Sequence, residues 1–339
     1  YLDALEHELA LQVEAHGRGQ PLLQLHFGGG TPSFLSDAEL DRVMRALRDA
    51  FTFLEGAEVS IEVDPRTVSR DRLAHLARPG FNRLSFGVQD FNPLVQKAVH
   101  RVQPYEQVAQ LMQASRELGF ESINADLIHG LPLQTPDSLA RTVEQMGSLR
   151  PDRIALYAYA HLPRRFKPQR RIDADQLPTP AQRVTMLSRA ITGFLSQGYA
   201  YIGMDHFALP DDALAAAKRQ GRLHRNFQGY STHPDCDLIA LGVSAISKVG
   251  ATYSQNAKTL PEYYDLLEAG DLPVVRGVAL SREDLVRRAI IMGLMCQGRI
   301  DYEAIELSHL VDFRSQFEPE LQRLAELARD GLVEIEDDG

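Results

Sequence analysis

The sequence predicts an α/β fold: a partial (β/α)6 TIM-like barrel, followed by a small helical module of winged-helix-like character. Three observations carry that prediction. Strand-like runs recur at a regular beat and alternate with helical periodicity, a pattern that calls for parallel strands with helices packed outside them. The first run ends in three consecutive glycines, Gly28-Gly29-Gly30, with no G-x-G-x-x-G to mark an open dinucleotide-binding sheet. After Leu280 the alternation stops and consecutive helices take over.

Taken in order, the strands are expected at Leu22–Phe27, Glu58–Val63, Arg83–Val88, Ser122–Ile128, Arg153–Tyr159 and Ala200–Met204, and the helices at Asp37–Phe51, Ser69–Ala77, Tyr105–Leu118, Asp137–Leu149 and Ala181–Ser196. Ser36 reads as the N-cap of the first of these helices, because its hydroxyl suits the free N–H groups of the opening turn. Glycines between a strand and a helix N-terminus leave backbone N–H groups in the open. Two readings stand for Gly28–Thr31: a tight βα turn needing positive φ, or a loop that a ligand approaches closely. The third glycine exceeds what a turn requires and favours the ligand.

A chain of 339 residues, 44% hydrophobic and 24% charged, buries a full core and accommodates one large α/β domain with an appendage, or two domains. The boundaries expected are 1–275 for the catalytic domain and 276–339 for the helical one. No apolar run approaches membrane-spanning length, and a net charge of −10 disfavours nonspecific nucleic-acid binding, which draws on a basic surface. Cys236 and Cys296 lie far apart without C-x-x-C spacing, so they read as two buried structural thiols in a reducing cytoplasm. The first helical run, from Tyr1, has no residue before it to act as a cap, and Leu332–Ile335 reads as the first strand of a hairpin whose turn is Asp337-Asp338-Gly339. Both ends are expected to lie inside a longer protein.

A parallel barrel gathers its chemistry at the C-terminal ends of its strands. The conspicuous polar residues fall there: Gly28 to Thr31, then Glu62 and Asp64, Gln89 and Asp90, Asp126, His161, and finally Asp205 and His206. Each alone has a structural explanation, Asp126 for instance as a buried ion-pair partner of Arg101, but their convergence on one rim points to a site. The proline-punctuated loop from Pro163 to Pro180 adds Arg164, Arg165, Lys167, Arg170 and Arg171, either as a solvated connection or as an anion-holding segment. Downstream, Asp211–Gly221 reads as a helix, His224–Tyr230 as a polar aromatic loop, and Asp237–Val249 as a buried strand. Within that strand Ile246 reads as a core or cofactor-facing side chain. Arg282–Cys296, Asp301–Glu306 and Phe313–Asp330 read as helices, and Gly331–Ile335 as a strand.

The motifs Gly28-Gly29-Gly30-Thr31-Pro32, Ser60-Ile61-Glu62-Val63-Asp64-Pro65, Gly87-Val88-Gln89-Asp90-Phe91 and Asp126-Leu127-Ile128-His129-Gly130-Leu131-Pro132 together resemble those of radical S-adenosylmethionine (SAM) enzymes of the oxygen-independent coproporphyrinogen III oxidase family. The likeness spans essentially the whole chain. Tyr159–Pro163, Gly203–Ala208, Asn226–Tyr230 and Gly242–Ser247 resemble the oxidases rather than their haem-chaperone relatives. The resemblance implies a barrel of the radical SAM type and oxidative decarboxylation of two propionates of coproporphyrinogen III, giving protoporphyrinogen IX. It also implies two SAM molecules, a [4Fe–4S] cluster and an electron donor such as flavodoxin or ferredoxin, in a cytoplasmic monomer. Position by position, Gly29, Glu62 and Ile246 match the family's contacts to the cluster-bound SAM. Gly30, Thr31, Gln89, Arg101, Asp126 and Ala160 match its contacts to the second. For the substrate carboxylates the cationic and polar candidates are Arg164, Arg165, Arg225 and His206.

The pattern departs from the family in one respect: the three clustered cysteines and the tyrosine expected before the glycine motif are absent, and Tyr1 belongs to the helix after them. The expectation is that the cluster segment precedes Tyr1 in a longer protein. Two other classes compete: a haem-binding chaperone without oxidase activity, and a metal-free barrel enzyme holding a phosphorylated ligand on the glycine loop.

Overall fold

The computed structural model describes residues 1–233 and 236–336, so the turn expected at Asp337–Gly339 lies outside the described residues. The chain divides into two compact units, Tyr1–Ala216 and Ala217–Gly339. The first is built on a seven-stranded sheet: β1 (Gln20–Phe27), β2 (Phe51–Val63), β3 (Arg83–Gln89), β4 (Ser122–His129), β5 (Arg153–Ala158), β6 (Ala200–Gly203) and β7 (His206–Ala208). Their spatial order is β1-β2-β3-β4-β5-β7-β6, with β1 to β5 parallel throughout.

Period-two alternation sorts the two faces of this sheet. Val59, Ile61, Leu84, Phe86, Val88, Ile123, Ala125 and Leu127 are buried on one face. The alternate positions Ser60, Glu62, Ser85, Gly87, Asn124 and Asp126 share the other, which is only half-buried. Ladder register brings these polar positions side by side, Glu62 with Ser85, Ser85 with Asn124, and Gly87 with Asp126. The helices Asp37–Ala50, Arg70–Ala77, Tyr105–Glu117, Pro136–Leu149 and Pro180–Ser196 bury their own apolar residues, among them Leu40, Met44, Leu73, Leu76, Met112, Met146 and Phe194. Ser36 caps the first as expected: it accepts from Glu39 N–H while the Glu39 carboxylate accepts from Ser36 N–H, a capping box.

The expected sixth parallel strand is corrected in detail. Ala200–Gly203 does not pair with β5. The chain turns back through Met204 and Asp205, with Gly203 at φ 151° and Met204 at φ 47°, and β7 inserts antiparallel between β5 and β6. A left-handed residue in a two-residue connection makes a hairpin where a single parallel strand ending at Met204 was expected. The helix predicted to reach Phe51 ends at Ala50. The second strand starts at Phe51 rather than Glu58, with a register break that takes up the left-handed Gly56. The helix Pro93–Ala98 was not anticipated.

The second unit holds two small antiparallel pieces. The predicted polar loop at His224–Tyr230 is a hairpin of β8 (His224–Arg225) and β9 (Tyr230–Ser231), closed by Asn226 N–H donating to Gly229 O. The predicted strand Asp237–Val249 forms only at its end: β10 (Ile246–Val249) pairs with β11 (Thr252–Asn256), which pairs with β12 (Val274–Ala279). Positive φ at Gly242 and Ser244 takes the preceding residues out of strand geometry. After Leu280 come the helices Arg282–Gln297, Tyr302–His309, Phe313–Gln316 and Glu318–Arg329. The predicted single helix Phe313–Asp330 breaks at Phe317, with Pro319 within the first turn of the helix that follows. Val286, Tyr302, Phe313 and Phe317 form their core, Tyr302 stacking on Phe313 at 4.3 Å. Gly331–Ile335, expected as a strand, is turn and irregular chain instead. Cys296 is buried as expected, whereas Cys236 is exposed, lying in irregular chain between β9 and β10. Among the described residues no helix is long and apolar enough to cross a membrane.

Candidate active site

The glycine loop begins where β1 ends. Gly29 and Gly30 take left-handed conformations, φ 78° and 75°, and the space where a Cβ would stand is open at both. Gly28 differs, for a Cβ there would fall 2.5 Å from His26 Nε2 and 2.9 Å from Glu62 Oε1. Its missing side chain therefore makes room for a polar pair beneath the loop. His26 Nδ1 lies 2.8 Å from Ser60 Oγ, and its Nε2 lies 3.4 Å from Glu62 Oε1. Thr31 is exposed and leads into the short helical turn Pro32–Phe34.

Asp126 occupies the half-buried polar face of β4. Ser85 Oγ donates to its Oδ2 at 2.9 Å and Asn124 Nδ2 to its Oδ1 at 2.8 Å. Loss of hydration pushes its pKa up to about 6 against the pull of those two donors, with the Glu62 carboxylate adding to the rise. Arg101 is not its ion-pair partner. The guanidinium donates from Nη2 to Gly87 O at 3.0 Å and lies 3.4 Å from Asp64 Oδ2, while its Nε is buried with no acceptor. Burial draws the Arg101 pKa below its usual value. Gly87 permits this approach, since a Cβ there would stand 3.1 Å from Gln89 Nε2 and 3.2 Å from Arg101 Nη2. Gln89 itself is left-handed, φ 69°, at a register break in the β3–β4 ladder.

Two other rim carboxylates have structural partners. Asp90 is buried, accepting from Thr142 Oγ1 at 2.9 Å, Gln134 Nε2 at 2.5 Å and Asn92 N–H at 2.6 Å. Asp64 pairs with Arg66 at 2.6 Å; burial alone would raise its pKa, but hydrogen bonds from Arg66 and the charge of Arg101 bring it below the ordinary range. At the end of β5, Ala160 O accepts from Gln169 Nε2 at 3.0 Å, and Tyr159 Oη lies 3.2 Å from His161 Nδ1. His206 opens β7 with its ring edge-on to Tyr157 at 5.9 Å. In the second unit, Ile246 opens β10 half-buried, and Arg225 on β8 lies over the Tyr230 ring at 4.8 Å.

Gln89 and Arg101 line a cleft of about 670 Å³ together with Val99, Ile128 and Tyr159 and, from the proline-punctuated loop, Lys167 and Arg171. The first unit thus brings together Gly29, Gly30, Thr31 and Glu62 around the end of β1, and Gln89, Arg101 and Asp126 on neighbouring strands and loops. Sequence reasoning missed Ser85 and Asn124 as the groups holding Asp126, although both sit at the alternate positions that share its face. It also missed the loop's clamp, Gln169.

These residues fit a zwitterionic nucleoside ligand such as SAM: open left-handed glycines, an acceptor carboxylate, and a buried guanidinium N–H with no acceptor. They do not fit an iron–sulfur cluster. The chain has two cysteines, and no group of three histidine, cysteine, aspartate or glutamate side chains among the described residues can hold a metal ion.

A family model described as the radical SAM superfamily matches residues 4–146, and one described as the HemN C-terminal domain matches residues 280–339. The chain is 48% identical over its whole length to the oxygen-independent coproporphyrinogen III oxidase of Escherichia coli strain K12, and 40% identical to that of Synechocystis, covering 74% of each. A solved structure of the coproporphyrinogen III oxidase HemN from Escherichia coli, described as a radical SAM enzyme, superposes with a TM-score of 0.96 at 48% identity, covering all of this chain and 78% of that one.

Proposed function

The chain belongs to the oxygen-independent coproporphyrinogen III oxidase family, and on that premise we propose that its first unit binds SAM and serves the oxidative decarboxylation of coproporphyrinogen III to protoporphyrinogen IX in porphyrin biosynthesis. The observation that carries this reading is the shared placement of Gly29, Gly30, Glu62 and Asp126 at the polar mouth of the sheet, on the residues whose motifs match the family. Reductive cleavage of SAM supplies hydrogen-atom abstraction in radical SAM enzymes. This chain's own residues bind and orient. Open backbone at Gly29 can meet the methionine end of one SAM molecule and Glu62 accepts from its ammonium, while Ile246 is the position that matches the family's contact to the same cofactor. Gly30, Thr31, Gln89, Arg101, Asp126 and Ala160 take a second SAM, with Asp126 accepting from a hydroxyl or ammonium and the free Nε–H of Arg101 meeting a carboxylate. Residues 1–275 act as the catalytic domain and 276–339 as an accessory helical one. The working form is a cytoplasmic monomer that draws electrons from a small acceptor–donor protein such as flavodoxin or ferredoxin and needs no nucleic acid.

The test is genetic and chemical. The whole gene from which this chain comes, with any coding sequence ahead of Tyr1 included, placed in a bacterial strain lacking its own oxygen-independent oxidase, should restore anaerobic growth and convert coproporphyrinogen III. Accumulation of coproporphyrinogen with no protoporphyrin formed would refute the assignment.

A further inference from the structure

The loop after β5 carries five cations between Pro163 and Ile172 and no acidic residue, in a chain whose net charge is −10. Among the described residues, none of Arg164, Arg165, Lys167, Arg170 and Arg171 forms an ion pair with a carboxylate. The loop is nevertheless held. Gln169 bridges it to the end of β5, donating to Ala160 O at 3.0 Å and accepting from Leu162 N–H at 2.5 Å, while Arg170 Nε donates to Pro163 O at 3.1 Å. This clamp fixes the helical turn Lys167–Arg171. Of the five cations, Lys167 and Arg171 line the 670 Å³ cleft, whose lining also includes the apolar side chains of Val99, Ile128, Leu131 and Ile172. Arg164 and Arg165 do not line it, and Arg165 lies over the Phe166 ring at 5.5 Å.

A cleft in the usual size range for ligands, lined by apolar side chains and by two cations, Lys167 and Arg171, without carboxylate partners, matches a ligand with an apolar body and a carboxylate. We propose that Lys167 and Arg171 anchor a propionate of the tetrapyrrole substrate, whose apolar body rests on Val99, Ile128 and Ile172. The inference rests on the oxidase reading above and gives it a substrate subsite. Gln89 and Arg101, which line the same cleft, stay with the second SAM, so substrate and cofactor meet within it. Arg171 supplies a planar fork suited to a carboxylate, and Lys167 a point charge.

The experiment measures binding of coproporphyrin III, the oxidised and fluorescent form with the same four carboxylates, to the chain by fluorescence titration. Lys167→Ala and Arg171→Ala should each weaken binding by about fivefold, the scale of a partly exposed ion pair, and the double substitution by more than either. Arg171→Lys should restore part of the loss. The same macrocycle with its carboxylates amidated should bind wild type and variants alike. Raised salt should weaken coproporphyrin binding to wild type and not to the double variant. SAM affinity and the thermal midpoint should be unchanged, since both side chains are exposed. Undiminished coproporphyrin III binding by the folded double variant would overturn the subsite and leave the oxidase reading standing. No binding by wild type would overturn both.

Discussion

Ser85 on β3 donates its hydroxyl to Asp126 on β4 across 2.9 Å, and Asn124 reaches both of them, donating to Asp126 at 2.8 Å and to Ser85 Oγ at 2.7 Å. The three form a closed polar triangle on the half-buried face of the sheet. That arrangement removes the reading in which Asp126 only balances Arg101. Loss of hydration outweighs the two neutral donors, and the Glu62 carboxylate nearby adds to it, so the Asp126 pKa is pushed up to about 6.

The sign of the pH effect follows. Asp126 has a folded pKa above its unfolded value of 3.8, so between those two values the folded chain holds a proton that the unfolded chain has released. Its contribution to stability is therefore greatest at low pH and is lost as pH rises through about 6. Asp126→Asn should flatten that part of the stability profile and leave the variant folded at pH 7, since Ser85 can rotate its hydroxyl to accept from the new amide. Under the cofactor reading, the ionised carboxylate accepts from SAM, so wild-type SAM affinity should fall below pH 6 and the variant's should be low throughout. Denaturant titrations at pH 4.5 and 7, paired with calorimetric SAM binding, check both. A variant that binds two SAM molecules normally would make Asp126 a core group only.

The glycines separate packing from access. Gly28→Ala must push apart His26 and Glu62, whereas Gly30→Ala meets no atoms and suffers only from its left-handed backbone, about 1 kcal/mol. Gly30→Ala should therefore lower stability modestly in denaturant titration while weakening SAM binding more than tenfold, because a methyl group would occupy the approach to the loop. Equal loss of stability and unaltered SAM binding would mark the loop as a turn and nothing more.

Much of the barrel was legible because strand and helix periods differ. The first five strands and the helices between them follow from alternation and from caps such as Ser36. The hairpin Ala200–Ala208 was not, since a left-handed Met204 leaves no mark in residue type. The same holds for Ser244, a non-glycine residue at φ 63°, which cuts short the run expected to Val249. β12 was invisible for another reason: it is exposed throughout, so its residues carry no buried-face signal. In the site, the rim residues were legible from their position at strand ends, but their division into ligand-facing and structural groups was not. Asp90 and Asp126 look alike in sequence, and only their partners distinguish them.

A prediction about metal concerns the chain as it stands. Anaerobic reconstitution with iron and sulfide should leave it without stoichiometric iron, because a [4Fe–4S] cluster is held by cysteine thiolates and this chain offers only Cys236 and Cys296. Iron analysis and the thiolate-to-iron absorption band give the measurement. About four irons per chain would show that other groups assemble a cluster here.

Asp90 supplies the structural counterpart to Asp126. It accepts from Thr142 Oγ1, Gln134 Nε2 and Asn92 N–H, joining the end of β3 to the helix Pro136–Leu149 and to the loop that leads into it. Gln134 in turn donates to Ile128 O and accepts from Gly130 N–H, so one buried network fixes the chain on both sides of the β4 terminus. Burial raises the Asp90 pKa, with the three donors opposing the rise. Asp90→Ala would leave those donors without an acceptor in a buried place, at a cost of about 3 kcal/mol. The thermal midpoint should drop by roughly 5–10 °C, measured by circular dichroism. SAM affinity per folded molecule should change less than threefold, because none of the partners of Asp90 is among the residues assigned to the cofactor. A large loss of SAM affinity with the midpoint unmoved would transfer Asp90 from the scaffold to the ligand site.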